Sequence, residues 1–366
     1  MKIVICGATG SVGQQVLDVA RRFNYEVVGI SFNSQVEKAK QIVKQLNIPY
    51  YFCHEDNTKG NVKFLDELFK KTQPHMVMNC VVGYQGLDVS SMVLNHKIDL
   101  GLANKESLVI AGHWLKQSAK KNRVNIYPID SEHAALRELV KNFKKNAIKN
   151  LIITASGGPF WNYSKKQLKT VTYKQAVAHP TWKMGAKISI DSATLANKAF
   201  EIIEAFHLFN TKNIIAIRHK ESVVHAGVQL YDNSYLFHAA SSDMRLPIAL
   251  CLQKFKANNH SIVKNLELNN LNLSFEEINE NEYPMLKIAR EVINKPQTTR
   301  GVVFNVVNDY AVKLFCEKKI SFDQIVTLTV NFYNKYPHKQ INGIVSIYAT
   351  INKILETLNL TWKDYL

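Results

Sequence analysis

Lys2-Ile3-Val4-Ile5-Cys6-Gly7-Ala8-Thr9-Gly10-Ser11-Val12-Gly13 is the stretch on which the fold turns. A β-rich run, Lys2 to Cys6, leads straight into glycines at 7, 10 and 13, and a helical run continues to about Phe23. Glycine at these places permits a tight turn and close backbone approach to a pyrophosphate, whose charge is met by the N–H groups and positive end of the following helix. A glycine motif alone is weak evidence; between a strand and a helix it reads as a dinucleotide site.

Working outward, further β-rich runs at Glu26 to Phe32, His75 to Val82 and Ile98 to Ala103 alternate with helical stretches. That alternation predicts parallel βαβ units, a Rossmann-like domain over 1–125. The second strand ends at Asn33-Ser34-Gln35, with no Asp or Glu where a carboxylate would hold the ribose hydroxyls of NAD. NADP is therefore expected, although no arginine stands there for the 2′-phosphate and Glu37 is close by.

Beyond residue 125, runs at Val124 to Ile129, Asn150 to Ala155, Asn213 to Ile217, Ser222 to Leu230 and Tyr235 to Ala239 continue with helices between them. The last two, joined by Tyr231-Asp232-Asn233-Ser234, predict a hairpin, so 126–255 is expected to be a central α+β catalytic and dimerisation domain. Residues 256–282 are polar and Asn-rich and read as a linker. Helical spacing at 283–294, 305–318, 321–335 and 341–358 predicts a small C-terminal helical domain over 283–366. The fold class is α/β in three parts, as 366 residues exceed what one core usually serves.

Apolar content of 46% with 21% charged residues fits a globular protein, and no apolar stretch is long enough for a bilayer. With a strand beginning at residue 2, a cytoplasmic location without a leader is expected. Five scattered cysteines, none in a CxxC pair, indicate neither a disulfide framework nor a thiolate metal site. A formal charge of +16 fits nucleic acid, an anionic membrane or phosphorylated small molecules. Lys141, Lys144, Lys145 and Lys149 form short clusters on helix-like stretches rather than one basic run with stacking aromatics, so neither nucleic acid nor membrane is expected.

Asp130-Ser131-Glu132 follows a strand, where α/β folds bind ligands, and its two carboxylates can converge on one hard cation. Alone it reads more readily as an ordinary helix cap. A helix starting near Asp191 places Leu195, Ala199, Ile202, Phe206 and Phe209 on one face and Asn197, Lys198, Glu201 and Glu204 on the other. That polar stripe is solvated by default. Facing a cleft, and beginning after Ser192, it would supply phosphate donors and a metal-binding carboxylate. Ser156-Gly157-Gly158-Pro159 ends another strand and would let backbone N–H groups approach a phosphate, although Gly-Gly-Pro is more often just a turn. His179-Pro180-Thr181-Trp182-Lys183-Met184-Gly185 suits a lid in which Trp182 excludes water, or a surface loop anchored by its aromatic.

Together these strings, with ANKESLV at 103–109, PIDSEHAAL at 128–136, HPTWKMGAKISIDSATLANKAFEIIEAF at 179–206, DMRLPIA at 243–249 and YPMLKIAREV at 283–292, resemble the 1-deoxy-D-xylulose 5-phosphate reductoisomerase family from Met1 to at least Asp309. The resemblance implies Asp130, Glu132 and Glu201 as ligands of Mg²⁺ or Mn²⁺, with Co²⁺ also possible. It implies Ser156, Ser192, Asn197 and Lys198 at the substrate phosphate, Lys105, Ser131 and His179 as further substrate contacts, and Trp182 and Met184 in a lid over 179–187. For NADPH it implies Thr9, Gly10, Ser11 and Val12 at the phosphates, Asn33, Ser34 and Gln35 at the 2′-phosphate, and Asn104, Glu106 and Gly185 further along. Lys105, Asp130, Glu132, His179 and Glu201 would be the catalytic set of a homodimer. The chain departs from the family's usual residues at 33–35, at His225-Ala226-Gly227-Val228, at Lys220, at Thr181 and at Asp309. The implied reaction rearranges a phosphorylated keto-sugar and reduces the branched aldehyde to 2-C-methyl-D-erythritol 4-phosphate. A metal-independent NADP-linked dehydrogenase and a basic binding protein without turnover are the alternatives.

Overall fold

A computed structural model describes residues 1–53, 58–178, 182, 185–256 and 260–366. The chain divides into two compact units, the first made of 1–107, 114–138 and 243–265, the second of 108–113, 139–242 and 266–366.

The first unit is built on β1 (Lys2–Cys6), β2 (Glu26–Phe32), β3 (Tyr50–Cys53), β4 (Met76–Asn79), β5 (Asp99–Leu102) and β6 (Ile126–Pro128). They form one sheet in the order β3-β2-β1-β4-β5-β6, every pair parallel. The chain winds outward from β1 to β3 and returns to β4 beside β1, so the carboxyl ends of β1 and β4 flank a topological switch point, where doubly wound sheets bind ligands. Ile3, Val4, Ile5 and Cys6 are wholly buried, as a parallel strand covered on both faces requires. Burial pushes the Cys6 thiol up to about 12, and all five cysteines are free thiols. Edge strand β3 is absent from the expected runs; only four residues long and half exposed, it shows no alternation to read. Helix Arg245–Leu252 packs on helix Ser11–Arg22, with Arg245 Nε 2.6 Å from an Asp18 carboxylate oxygen.

The second unit carries β7 (Ile148–Ala155), β8 (Ile214–Arg218), β9 (Val224–Leu230), β10 (Tyr235–Ala239) and β11 (Glu276–Glu277) in the order β10-β9-β7-β8-β11. The expected hairpin is β9–β10, closed by Leu230 N–H donating to Ser234 O at 2.9 Å, with Asn233 at φ +67°. Strand β11, two glutamates paired with β8, interrupts what reads as plain linker. The expected helices are present as Pro284–Asn294, Arg300–Cys316, Phe322–Lys335 and Ile344–Thr361. Among the described residues no helix is long and apolar enough to cross a membrane.

The helix expected from Asp191 is two helices, Ala186–Thr194 and Ala196–Phe209, broken at Leu195, whose φ is +58°. A leucine in the left-handed region is strained, and nothing in its side chain announces it. The buried Leu195 side chain and the packing around it hold the break.

Candidate active site

In the first unit, Gly7 sits at φ +83°, and a Cβ there would lie 2.7 Å from the carbonyl oxygen of Cys80, which follows β4. Gly7 and Ala8 N–H both donate to Ser31 O at 2.9 Å, tying the turn to β2. A Cβ on Gly13 would lie 2.3 Å from Gly7 O, so the helix rests directly on the turn. Gly10 caps Ser11–Arg22 with its backbone alone, and Gly10 and Ser11 are exposed. The first N–H groups of that helix have no intrahelical acceptor, which suits an anion. Thr9 is buried, and Asn33, Ser34 and Gln35 are exposed after β2.

Asn104 and Glu106 are tied to the loop that follows β4. The Asn104 amide donates to Val81 O and Gly83 O, each at 2.8 Å, and its carbonyl accepts from Ser107 N–H. Glu106 accepts from Gly83 N–H at 3.1 Å. The two side chains buckle down the loop that follows β4. Gly86 is required there, because its Cβ would stand 2.3 Å from Asn104 Cγ.

After β6, Asp130 is the hub of a charged cluster. Lys105 Nζ donates to one carboxylate oxygen at 2.6 Å; His133 Nδ1 at 2.7 Å and the Glu132 N–H at 3.2 Å meet the other. Burial alone would push this carboxyl up, but Lys105 and His133 hold it well below the usual carboxylate range. Ser131 hydrogen-bonds the Glu132 carboxylate. Asp130 and Glu132 each offer an oxygen within 4.8 Å of the other, a hard, anionic donor pair that fits Mg²⁺ or Mn²⁺. The sequence reading passes over His133, although its place three residues after Asp130 puts the two on one helix face.

In the second unit, β7 ends at Ala155 and Ser156 follows, then Gly157 and Gly158 at φ +87° and +65°. A Cβ on Gly158 would fall 2.7 Å from Ala193 Cα and 3.2 Å from the Ser192 carbonyl carbon, so the turn lies against the end of helix Ala186–Thr194. Ser156 and Ser192 thereby come to one corner. The turn at Leu195 then starts the next helix with no side-chain cap, and Asn197 and Lys198 stand in its first turn, a helix N-terminus fit for a phosphate. Asn197 donates to Glu201 and Lys198 pairs with Glu201. The default solvated reading of this stripe fails: Lys198 is 3% exposed, Glu201 1% and Glu204 0%. Buried charge persists only where it is paired or put to use.

Trp182 is half-buried, its ring centroid 5.9 Å from that of His225. His179, Thr181 and Met184 of the expected lid lie outside the described residues. Gly185, open to space, caps helix Ala186–Thr194, which Lys187 anchors: its Nζ lies 2.6 Å from Asp191 and 3.0 Å from Asp309. Asp309 thus pairs with the Lys187 ammonium. At another departure, a Cβ on Gly227 would lie 2.6 Å from the Phe237 ring, which occupies the space a larger side chain would take. His219, ahead of Lys220, is buried and accepts from Val224 N–H at 3.1 Å.

Three family profiles match the chain: 1-deoxy-D-xylulose 5-phosphate reductoisomerase over residues 3–112, the C-terminal domain of that enzyme over 126–209, and a DXP reductoisomerase C-terminal domain over 240–356. The 1-deoxy-D-xylulose 5-phosphate reductoisomerase of Mycoplasmoides gallisepticum is 47% identical over 97% of this chain and 96% of its own length. That of Malacoplasma penetrans is 38% identical over 96% and 93%. A crystal structure of DOX-P reductoisomerase in complex with NADPH, fosmidomycin and magnesium superposes with a TM-score of 0.89 at 30% identity, covering 99% of this chain and 98% of that one. The Zymomonas mobilis enzyme in complex with NADPH gives 0.82 at 29% identity, covering 96% of each.

Proposed function

Because the chain belongs to the 1-deoxy-D-xylulose 5-phosphate reductoisomerase family, we propose that Asp130, Glu132 and Glu201 hold its divalent metal and that Ser156, Ser192, Asn197 and Lys198 hold the substrate phosphate. The protein is an NADPH-dependent oxidoreductase that uses magnesium and converts 1-deoxy-D-xylulose 5-phosphate to 2-C-methyl-D-erythritol 4-phosphate in isoprenoid biosynthesis. The observation that carries the metal assignment is the state of Asp130: a carboxylate 9% exposed yet kept anionic is a donor prepared for a hard cation. The same oxygen set accommodates Mn²⁺ or Co²⁺.

Bound there, the metal supplies Lewis acidity toward the keto and hydroxyl oxygens of the substrate, and NADPH supplies the hydride. Each protein group has a part of its own. Lys105, paired with Asp130, places a cation beside the reacting oxygens and can hydrogen-bond one of them. Ser131 and His179 complete the substrate contacts. The phosphate corner binds remote from the reacting carbons and supplies the energy that orients them. Trp182 and Met184 in the 179–187 lid shield the reaction from water. Thr9, Gly10, Ser11, Val12, Asn33, Ser34, Gln35, Asn104, Glu106 and Gly185 line the cofactor's path, with the side chains of Asn104 and Glu106 acting through the loop after β4.

We assign NADPH binding to 1–125, catalysis and dimerisation to 126–255, a linker to 256–282 and a helical domain to 283–366, in a cytoplasmic homodimer. The ring stack of Tyr235, Phe237 and Phe275, 53%, 40% and 41% exposed, supports a covered face in the second unit.

The test follows NADPH absorbance with 1-deoxy-D-xylulose 5-phosphate and Mg²⁺, then with excess EDTA, for the wild type and Glu201→Gln. Oxidation should be abolished by EDTA and restored by Mg²⁺, and the variant should lose roughly 10³-fold in kcat, several kcal/mol of transition-state stabilisation. Turnover indifferent to EDTA would favour the metal-independent dehydrogenase. Full activity in Glu201→Gln would remove Glu201 from the metal set.

A further inference from the structure

We propose that Lys38 reads the 2′-phosphate of NADPH and sets the enzyme's preference for it over NADH. The segment where a dinucleotide-binding fold meets the adenosine ribose, Asn33-Ser34-Gln35, has hydrogen-bonding side chains and no charge. Such a segment can hold a hydroxyl as well as a phosphate and so discriminates poorly. The missing charge comes from one turn further on. Lys38 stands in the first turn of helix Val36–Leu46, and its Nζ reaches back to donate to Thr9 O at 2.8 Å. The ammonium is thus held between the end of β2 and the glycine turn, the two pieces of backbone a bound adenosine ribose lies against.

Three features make this an anion site. The partner of Lys38 is a neutral carbonyl, and no carboxylate among the described residues pairs with it, so its charge is not cancelled. Glu37, the acid next to Lys38 in the chain, points into solvent, 81% exposed, with Lys40 Nζ 2.8 Å from its carboxylate. The first N–H groups of helix Val36–Leu46 add partial positive charge on the same side. A phosphate dianion meeting an ammonium and a helix start is a charge-assisted contact, whereas a ribose hydroxyl at the same place gains little from either.

The inference rests on the cofactor assignment, and direct binding separates the two. NADPH, NADH and 2′,5′-ADP are titrated into the protein without substrate, by nucleotide fluorescence and calorimetry, for the wild type, Lys38→Ala, Lys38→Arg and Lys40→Ala. The wild type should bind NADPH well above NADH. Lys38→Ala should weaken NADPH and 2′,5′-ADP about ten- to hundredfold and leave NADH within about twofold, the scale of a lost charged hydrogen bond. Lys38→Arg should keep most of the preference, and Lys40→Ala all of it. Equal losses for NADPH and NADH in Lys38→Ala would overturn the proposal and make Lys38 a prop for the Thr9 turn. No loss of affinity for NADPH or 2′,5′-ADP in Lys38→Ala would overturn it outright. Failure of the wild type to bind either nucleotide would instead strike the cofactor assignment itself.

Discussion

The glycine turn after β1 in the first unit and the polar stripe of helix Ala196–Phe209 in the second are both proposed to serve the reaction, yet they are written in different ways. At the turn the backbone carries the function. Gly7 must pass under Cys80 O and Gly13 must let a helix rest on Gly7 O, and a side chain at either position strikes main-chain atoms that cannot move aside. The requirement is local and a few residues spell it out. The stripe carries function in side chains whose character depends on what covers them. Asn197, Lys198, Glu201 and Glu204 would be an ordinary wet face on another protein; here three of them are almost wholly buried. The first kind of site can be read one strand at a time, the second only once the chain has folded.

The sharpest way to break this contrast is to treat the stripe as though it were solvated. Lys198→Met keeps the length and removes the charge. On a wet helix face such a change moves stability by less than about 0.5 kcal/mol. With Lys198 buried and paired with Glu201, the variant should lose about 3–5 kcal/mol in a urea titration, because Glu201 is left as a buried charge without its cation. A loss below about 1 kcal/mol would return the stripe to the solvated class.

Gly13→Ala probes the other side. One methyl group would have to sit 2.3 Å from Gly7 O and 2.7 Å from Ala8 Cα, so the helix must lift from the turn. A loss of about 1–3 kcal/mol in stability is expected from overpacking, with a weakened NADPH titration. If the variant melts and binds NADPH like the wild type, the turn is not fixed by close backbone approach.

The same contrast explains how much was legible. The parallel sheet of the first unit, its strand-turn-helix start, the β9–β10 hairpin and the four C-terminal helices follow from period and punctuation, which are local. Strand β11 is Glu276-Glu277, a composition that suggests no strand; only the unpaired edge of β8 makes it one. The break at Leu195 is hidden because leucine is a good helix former, and packing overrides its preference. Of the proposed site, Asp130, Glu132 and the proposed phosphate donors stand in quotable strings. Lys38 stands in none of them, and His133 and Lys187, although inside quoted strings, show what they do only through the partners the fold gives them: Thr9 O for Lys38, the Asp130 carboxylate for His133 and Asp309 for Lys187.

Asp18 offers a third, smaller case between the two. Its i,i+4 pairing with Arg22 can be read from the sequence, while Arg245, 227 residues away, comes only with the fold. Burial pushes the Asp18 carboxyl up, but Arg245 and Arg22 outweigh it and hold the group below the usual carboxylate range. The folded value thus lies under the unfolded value of about 3.9, so the stabilisation is complete above that pH and is lost as pH falls through the folded value. Because the pair is partly open to solvent, its size should stay below about 1 kcal/mol. Urea titrations of the wild type and Asp18→Asn at about pH 7, 5 and 3 should therefore show a small gap that is equal at the first two and narrows at the last. A gap that persists undiminished at the lowest pH would mean that Asp18 acts by shape and hydrogen bonding between helices Ser11–Arg22 and Arg245–Leu252. Its contribution would then belong with the glycine turn, set by fit, and not with the charged stripe.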